Sequence, residues 1–471
     1  MFFNVFTKNK ISVPQTLKDF YKIFEKSGFQ AYLVGGAVRD IFLNKEASDW
    51  DVTTNATPQD VMSMFNFVVP TGIEHGTVTV HFKNTEIELT TFRTETGYSD
   101  GRHPDSINYA ATIEEDLARR DFTINAIAVD LKDGKIVDPF KGRSDIKKKI
   151  IRTVRNPYDR FMEDGLRPIR ALRFSAQLNF LIEENTFDAI SNKDVQNKIK
   201  SISVERFRDE LCKMMKAEKP SIGIDMMEKT GVLKLFIPEL QKCKNCIQAD
   251  DRGFHIFDVF DHNIYACDGA PKDKPLLRLA ALFHDIGKPD SRTEHNENGL
   301  KIYHFYNHER ISCKISRDIM TRLKFSNAEI EKVSHLIENH MFHYEPTWSD
   351  AAIRRFLVKV GSENIEDIID LRLADMYGKY NQPARLHDSE ACNLLIELQD
   401  RIKKIEENNN ALSLKDLAVN GKDLIAEGIP AGKQLGLILN ELFEAVLEDP
   451  ELNTKEKLLE IVEKSYKKSY K

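Results

Sequence analysis

Apolar and polar positions change their period along the chain. Residues 78–82 (VTVHF) and 85–92 (TEIELTTF) alternate or carry β-branched side chains, which suits half-buried strands. Residues 32–34 form a short apolar run that ends in Gly35-Gly36 and predicts a strand turning into a helix. From about Leu178 onward helical spacing takes over, as in VERFRDELCKMM (204–215) and PLLRLAALFHDIG (275–287). After about Tyr380 the helices become rich in Lys and Glu, with breaks such as EGIPAGK (427–433). No internal repeat or low-complexity tract interrupts this order. The pattern predicts an α+β head with a small mixed sheet, then an all-helical remainder.

A chain of 471 residues is too long for one hydrophobic core, so several domains are expected. We place their boundaries at 1–155, 156–240, 241–384 and 385–471. The net charge of −6 removes any global electrostatic case for a nucleic-acid partner and leaves only local patches. One such patch is residues 141–173, where eleven Lys and Arg face four Asp and Glu. Phosphate contact and a solvated helix face both fit it. No apolar run approaches the ~20 residues that span a bilayer. The first residues, MFFNVFTKNK, lack the order of a signal peptide. The expected setting is the cytoplasm, with no membrane partner and six reduced cysteines. Cys243 and Cys246 form a lone C-x-x-C, which without a second pair reads as an ordinary loop.

Residues 49–51 (DWD) place two carboxylates one residue apart. On a strand Asp49 and Asp51 share a face, and holding like charges together usually means that a cation sits between them. Glu88 on a later strand adds a third carboxylate, with Glu86 on the same face as its competitor. Gly35 and Gly36, before a helix, let phosphate approach backbone N–H groups. Such a set suits Mg²⁺ bound by carboxylates and substrate phosphates. Alone, each piece has a bland counterpart, a tight turn or a solvated aspartate.

The pieces occur in one order. LVGGAVRDIFLNKEASDWDVTT (33–54) is followed by ELTTFRTETGYSDGRHP (88–104), EEDLARRDFTINAIA (114–128), VDPFKGRSDIKKKIIRTV (137–154) and FMEDGLRPIRALRFSAQL (161–178). This series resembles the class II tRNA nucleotidyltransferases, that is, the CCA-adding enzymes and their bacterial poly(A) polymerase relatives. The resemblance implies a polymerase-β-like nucleotidyltransferase head, a helical neck, a body and a tRNA-binding tail. It implies Asp49, Asp51 and Glu88 as catalytic carboxylates holding Mg²⁺, CTP and ATP as substrates, and tRNA as partner. Gly35, Gly36, Arg39, Arg120, Asp121, Asn125, Asp164, Arg167, Arg170 and Arg173 become nucleotide-binding candidates.

The residue chemistry fits those roles. Arg120 can grip a triphosphate bidentately. Asp121 can accept from a ribose hydroxyl, and Asn125 can do either job. Arg119, Arg120 and Asp121 fit a surface ion-pair cluster equally well. Asp164 and Arg167, read as three apart on one helix, could present an acceptor and a donor to the edge that cytosine and adenine share. The bland alternative is a helix-surface salt bridge. Pro168 stands where the family usually has an aliphatic residue. Proline is tolerated only in a first helical turn, so a helix is expected to begin near Leu166.

A second constellation lies downstream: His262, then His284-Asp285 in FHDIGK, then His308, His340 and Asp375. It resembles the HD phosphohydrolase superfamily. Imidazole and carboxylate ligands suit Mn, Ni, Fe or Zn ions. His262, His284, Asp285 and Asp375 lead the ligand set. His255, His304 and His335 compete with His308 and His340 for the remaining places.

The reading that joins both constellations is template-independent addition of C, C and A to tRNA 3′ ends, with a phosphatase or phosphodiesterase side activity. A-only addition and poly(A) polymerisation are the alternatives. The segment 94–116 is not shortened, which sets aside CC-only addition, and the ending KSYKKSYK is not the strongly basic extension of a poly(A) polymerase.

Overall fold

The computed structural model describes residues 9–46, 49–73, 76–96, 106–249, 255–382, 389–407 and 412–465. The chain forms two compact units, 1–241 with 322–324, and 242–321 with 325–471. The architecture is α+β, as the change of period predicts. No helix among the described residues is long and apolar enough to cross a membrane.

The first unit is built on a seven-stranded sheet. Its strands are β1 (Ala31–Val34), β2 (Trp50–Thr54), β3 (Val68–Gly72), β4 (Thr77–Phe82) and β5 (Thr85–Thr91), with a separate hairpin of β6 (Arg93–Thr96) and β7 (Ser106–Tyr109), then β8 (Ala128–Asp130) and β9 (Ile136–Val137). The sheet order is β3-β4-β5-β2-β1-β8-β9. Only the β2–β5 pair is parallel; the others run antiparallel. The two strands read from alternation, β4 and β5, form as expected, with Val78, Val80, Ile87 and Leu89 buried. Helix Gln15–Lys26 buries Leu17, Phe20, Tyr21 and Phe24, a helical stripe. Phe20 lies 4.9 Å from Phe65 and 5.5 Å from Phe82 between ring centroids, so aromatic packing seats that helix on the sheet. Residues 97–105, part of the segment we read as intact, lie outside the described residues.

Beyond the sheet, short helices carry the chain. Helix Pro157–Glu163 ends before Asp164, and the next helix is Leu166–Leu178. Pro168 therefore sits in a first turn, where its missing N–H costs nothing. Asp164 is not on a helix with Arg167, contrary to the spacing argument. It bridges the two helices, and its Oδ1 accepts from the backbone N–H of Leu166 at 2.9 Å.

Arg160 is buried and acts as a clamp. It donates to the carbonyls of Val154, Arg119 and Ala118 at 3.2, 3.1 and 2.9 Å, and to Glu163 at 2.8 Å. Helix Leu166–Leu178 also carries Arg173, whose Nε lies 2.5 Å from Glu210 on helix Val204–Met215. Both side chains are buried.

The second unit is helical apart from a hairpin of Arg292–Glu297 with Leu300–Phe305. Helix Val259–Gly269 packs on helix Ile365–Tyr380 at very short range. A Cβ on Gly378 would fall 2.7 Å from the carbonyl oxygen of His262, so only glycine allows that approach. In the tail, Leu424, Ile438, Leu442, Leu458 and Val462 form one buried cluster.

Breaking a buried ion pair leaves an unpaired charge in a dry place, which costs about 3–5 kcal/mol, whereas apolar replacement of both partners is close to neutral. Glu210→Ala is therefore expected to lower unfolding stability by that amount in urea titrations, and Arg173→Met with Glu210→Leu to restore most of it. Equal losses in both variants would show that packing, not charge, holds the pair.

Candidate functional site

Two sites emerge, one in each unit. In the first, β1 runs straight into helix Gly35–Phe42, and Gly35 adopts φ 71°, a left-handed conformation. A Cβ there would lie 3.0 Å from Asp51 Oδ2. The turn thus presents its backbone directly to the Asp51 carboxylate.

Register then brings in the third carboxylate. Parallel pairing of β2 with β5 sets Asp51 opposite Glu88. Glu86, the competitor, lies opposite His81 instead, at 3.5 Å from its Nδ1. Burial first, and then Glu88, push the Asp51 carboxyl up to about 6, with Asp49 adding to the push and Arg120 opposing it. Asp49 lies exposed just before β2, not on the strand face that the spacing predicts, and reaches Asp51 only through charge; the repulsion on Asp51 is of the kind a hard cation relieves.

A polar relay leads away from that edge. Arg39 donates to Asp40 at 2.9 Å and to Asn125 Oδ1 at 3.0 Å. Asn125 donates to Asp121 at 3.2 Å, and Arg170 grips Asp121 Oδ2 at 2.8 and 2.7 Å. Burial works against ionisation of Asp121, yet Arg170 outweighs it and holds the carboxyl at about 2. The ring of Phe174 lies under the Arg173 guanidinium at 4.0 Å and near those of Arg39 and Arg170, each at 5.3 Å. Arg120 reaches Asp116 at 3.4 Å while standing 3.4 Å from the same Gly35 Cβ position. Gly35, Arg39, Arg120, Asp121, Asn125 and Arg170 are thereby brought into one patch, with Gly36 beside Arg39.

The base-reading candidates are placed differently. Asp164 Oδ2 accepts from Arg206 at 2.8 Å. Arg167 is buried and donates to Glu163 at 2.5 Å and to the carbonyl of Arg119 at 3.2 Å. Arg173 is turned to Glu210. The basic patch also divides: Arg152, Arg160, Arg167, Arg170 and Arg173 are held in ion pairs, while Lys141, Lys147, Lys148 and Lys149 stay exposed. Sequence reasoning missed Glu163, Arg206 and Glu210. Arg206 and Glu210 are some 40 residues distant, and no local spacing reveals them.

In the second unit the four leading residues converge, and His308 and His340 join them. His262 Nε2 lies 3.1 Å from His284 Nε2, 3.2 Å from Asp375 Oδ1 and 3.3 Å from Asp285 Oδ2. His308 Nε2 is 3.1 Å and His340 Nε2 3.9 Å from Asp285 Oδ1. His284, His308 and His340 each place Nδ1 2.7 Å from the carbonyl three residues before it. That contact fixes the ring and leaves Nε2 facing inward, the arrangement of metal-ligating histidines. Burial favours the neutral ring at His340, whose pKa falls to about 3. At His284 burial opposes the charge, but Asp285 and Asp375 hold the pKa up at about 10. The cluster demands positive charge, and a divalent cation would supply it in place of the proton. Two cations that sequence reasoning left out stand beside it: Lys288 at 2.5 Å from Asp285 and Arg372 at 2.7 Å from Asp375. Both are three residues from their partners; Arg372 and Asp375 share helix Ile365–Tyr380, where that spacing is legible, whereas Asp285 lies in the turn before Lys288. His335 Nε2 donates to the Val360 carbonyl at 2.6 Å and takes no part, and His304 stacks on Tyr306 at 5.2 Å. Cys243 and Cys246 belong to no metal-competent group among the described residues.

Three family models match the chain: the Poly A polymerase head domain over 31–152, the RNA and SrmB-binding site of polymerase A over 179–244, and tRNA nucleotidyltransferase domain 2 over 305–462. The CCA-adding enzyme of Lactobacillus johnsonii is 34% identical over 94% of this chain and 95% of its own length. That of Enterococcus faecalis is 32% identical over 98% and 99%. Among solved structures, the Bacillus stearothermophilus CCA-adding enzyme in complex with CTP matches with a TM-score of 0.72 at 27% identity, covering 97% of this chain and 98% of that one. The Thermotoga maritima CCA-adding enzyme complexed with tRNA shares the fold, with a TM-score of 0.54 at 20% identity over 95% and 94%.

The glycine turn offers a direct test. Gly35→Ala forces a side chain into a left-handed backbone against Asp51, a strain of about 1–3 kcal/mol. At Gly36 a Cβ meets only Arg39 Nη2, at 3.6 Å. Denaturant titration is expected to show a loss of that size for Gly35→Ala and less than about 0.5 kcal/mol for Gly36→Ala. Equal losses would mean that the turn itself, not its approach to Asp51, sets the requirement.

Proposed function

Because the chain belongs to the CCA-adding enzyme family of tRNA nucleotidyltransferases, we propose that it completes tRNA 3′ ends by adding C, C and A from CTP and ATP. The observation that carries this reading is the register pair of Asp51 and Glu88 beside the Gly35 turn. Asp49 and Asp51 fit Mg²⁺, since the repulsion on Asp51 and its burial call for a hard cation. Bound there, two such ions would stabilise the charge on the attacking hydroxyl and on the leaving pyrophosphate.

The chain's own residues then do the positioning on which phosphoryl chemistry depends. The helix N-terminus at Gly35 and Gly36 receives the triphosphate, with Arg39 and Arg120 as its cationic partners. Asp121, kept ionised by Arg170, accepts from a ribose hydroxyl and so favours a ribonucleotide. Asp164 and Arg167 offer an acceptor and a donor to the base edge shared by cytosine and adenine. For Asp164 to do so, the Arg206 pair must open. The exposed lysines 141 and 147–149 supply phosphate contacts for the tRNA.

The second unit supports a further reading, a metal-dependent phosphohydrolase of the HD type acting on phosphate esters. What favours it is the meeting of His262, His284, Asp285, His308, His340 and Asp375 around one buried point.

Nucleotide incorporation into tRNA transcripts ending before CCA or after CC tests the first reading. The wild type is expected to add C, C and A. Asp49→Ala with Asp51→Ala is expected to lose about a thousandfold or more, the equivalent of several kcal/mol of charge stabilisation. Addition of A alone to the CC-ended transcript would identify an A-adding enzyme; no transfer to either would overturn the reading. His284→Ala with Asp285→Ala is expected to abolish Mn²⁺-dependent hydrolysis of p-nitrophenyl phosphate and leave incorporation within about twofold. Unchanged hydrolysis would remove the second reading.

A further inference from the structure

We propose that Asp116 is a positioning residue for nucleotidyl transfer: it holds the Arg120 guanidinium back from Asp51, so that this cation meets the triphosphate instead of neutralising the carboxylate that the metal needs. The inference rests on the nucleotidyltransferase reading and adds to it the group that keeps an arginine and an aspartate apart at close quarters.

Arg120 and Asp51 are near neighbours. Asp51 Oδ2 stands 3.0 Å and Arg120 Nη1 3.4 Å from the position a Cβ would take on Gly35. Burial and Glu88 both disfavour the charge on Asp51, so a cation against it would be strongly favoured. A guanidinium beside such a carboxylate ordinarily closes on it with two parallel hydrogen bonds. Arg120 does not. Among the described residues its one ion pair is with Asp116, from Nη2 to Oδ2 at 3.4 Å.

Asp116 supplies the competing charge. It lies on helix Ile113–Ala118, four residues before Arg120, and its side chain is fully buried. A carboxylate stays ionised in such a place only with cations against it. Burial opposes the charge of Asp116, yet Arg119 and Arg120 hold the carboxyl below its ordinary range. Oδ1 accepts from Arg119 Nε at 2.9 Å and from the backbone N–H of Arg93 at 3.4 Å, which leaves Oδ2 for Arg120.

The grip on Arg120 is partial. Its bond to Asp116 is longer than an ordinary hydrogen bond, and its Nε is buried without a partner. A guanidinium carries five N–H donors, so Arg120 keeps donors in hand beside the Gly35 turn that receives the phosphates. A short movement toward a triphosphate completes its bonding. The same movement toward Asp51 would do so too, and the charge of Asp116 behind it is what opposes that collapse.

A double-variant cycle in the full chain tests this. Asp116→Asn keeps the size and one acceptor and removes the charge. Binding of labelled CTP is followed by equilibrium dialysis in EDTA, and the Mg²⁺ dependence of incorporation into a tRNA transcript alongside it. Asp116→Asn is expected to raise the CTP dissociation constant and the half-saturating Mg²⁺ concentration by about tenfold each, and to leave kcat at saturation within about threefold. In an Arg120→Gln background the same substitution is expected to change neither by more than about twofold. Equal shifts in both backgrounds would show that Asp116 acts by another route and overturn the proposal. So would a fall in kcat with CTP binding and Mg²⁺ demand unchanged. A wild type that transfers no nucleotide would overturn the nucleotidyltransferase reading as well; a wild type that transfers while Asp116→Asn shifts nothing would overturn this inference alone. Should Asp116→Asn fail to fold, Arg119→Gln decides. It leaves Arg120 as the remaining cation on Asp116, so CTP binding and Mg²⁺ demand are expected to stay within about twofold. A rise of about fivefold or more in either would show that Asp116 serves Arg119 and overturn the proposal.

Discussion

Carboxylates held side by side repel one another, and only a backbone that leaves them no alternative keeps them there. In the first unit that backbone is the pairing of β2 with β5, the single parallel pair of an otherwise antiparallel sheet. A slip of one residue would turn Asp51 to the other face and move every buried neighbour with it. Val52, Ile87 and Leu89 are buried and prevent that slip, so hydrophobic packing maintains an electrostatic strain. The Gly35 turn and the Arg39–Asn125–Asp121–Arg170 relay then have a fixed point to build on.

The second unit solves the same problem with helices. Its carboxylates and imidazoles come from elements separated by more than a hundred residues, and no register pins them. Close approach does so instead: Gly378 lets helix Ile365–Tyr380 come against helix Val259–Gly269, which brings Asp375 to His262. Carbonyls three residues upstream then aim His284, His308 and His340 inward.

The strands 78–82 and 85–92, the Gly-Gly turn, the helix start at Leu166 and all six histidine–aspartate residues were legible in the sequence, because each rests on local period, turn chemistry or ligand type. What escaped it depends on contacts that have no local signature. Asp164 and Arg167 looked like neighbours on one helix, but Gly165 and Pro168 divide the segment, and each residue found a different partner. Arg206 and Glu210, which take Asp164 and Arg173, sit on another helix whose own periodicity says nothing of the pairing. Spacing ranked His308 and His340 below the others; only the fold shows that they share Asp285.

The Arg160 clamp gives the first unit a mechanical property. One guanidinium joins the carbonyls of residues 118, 119 and 154 to the end of its own helix. Four points of attachment turn three stretches of chain into a single stiff lever, with Asp164 just past its tip. Under the proposed base-reading role, accommodation of bases of different size near Asp164 would fall to the rotation of side chains, chiefly Asp164 and Arg206, while the backbone behind them stays still. A site of the proposed kind would change what it accepts by exchanging a partner, in the manner of a latch.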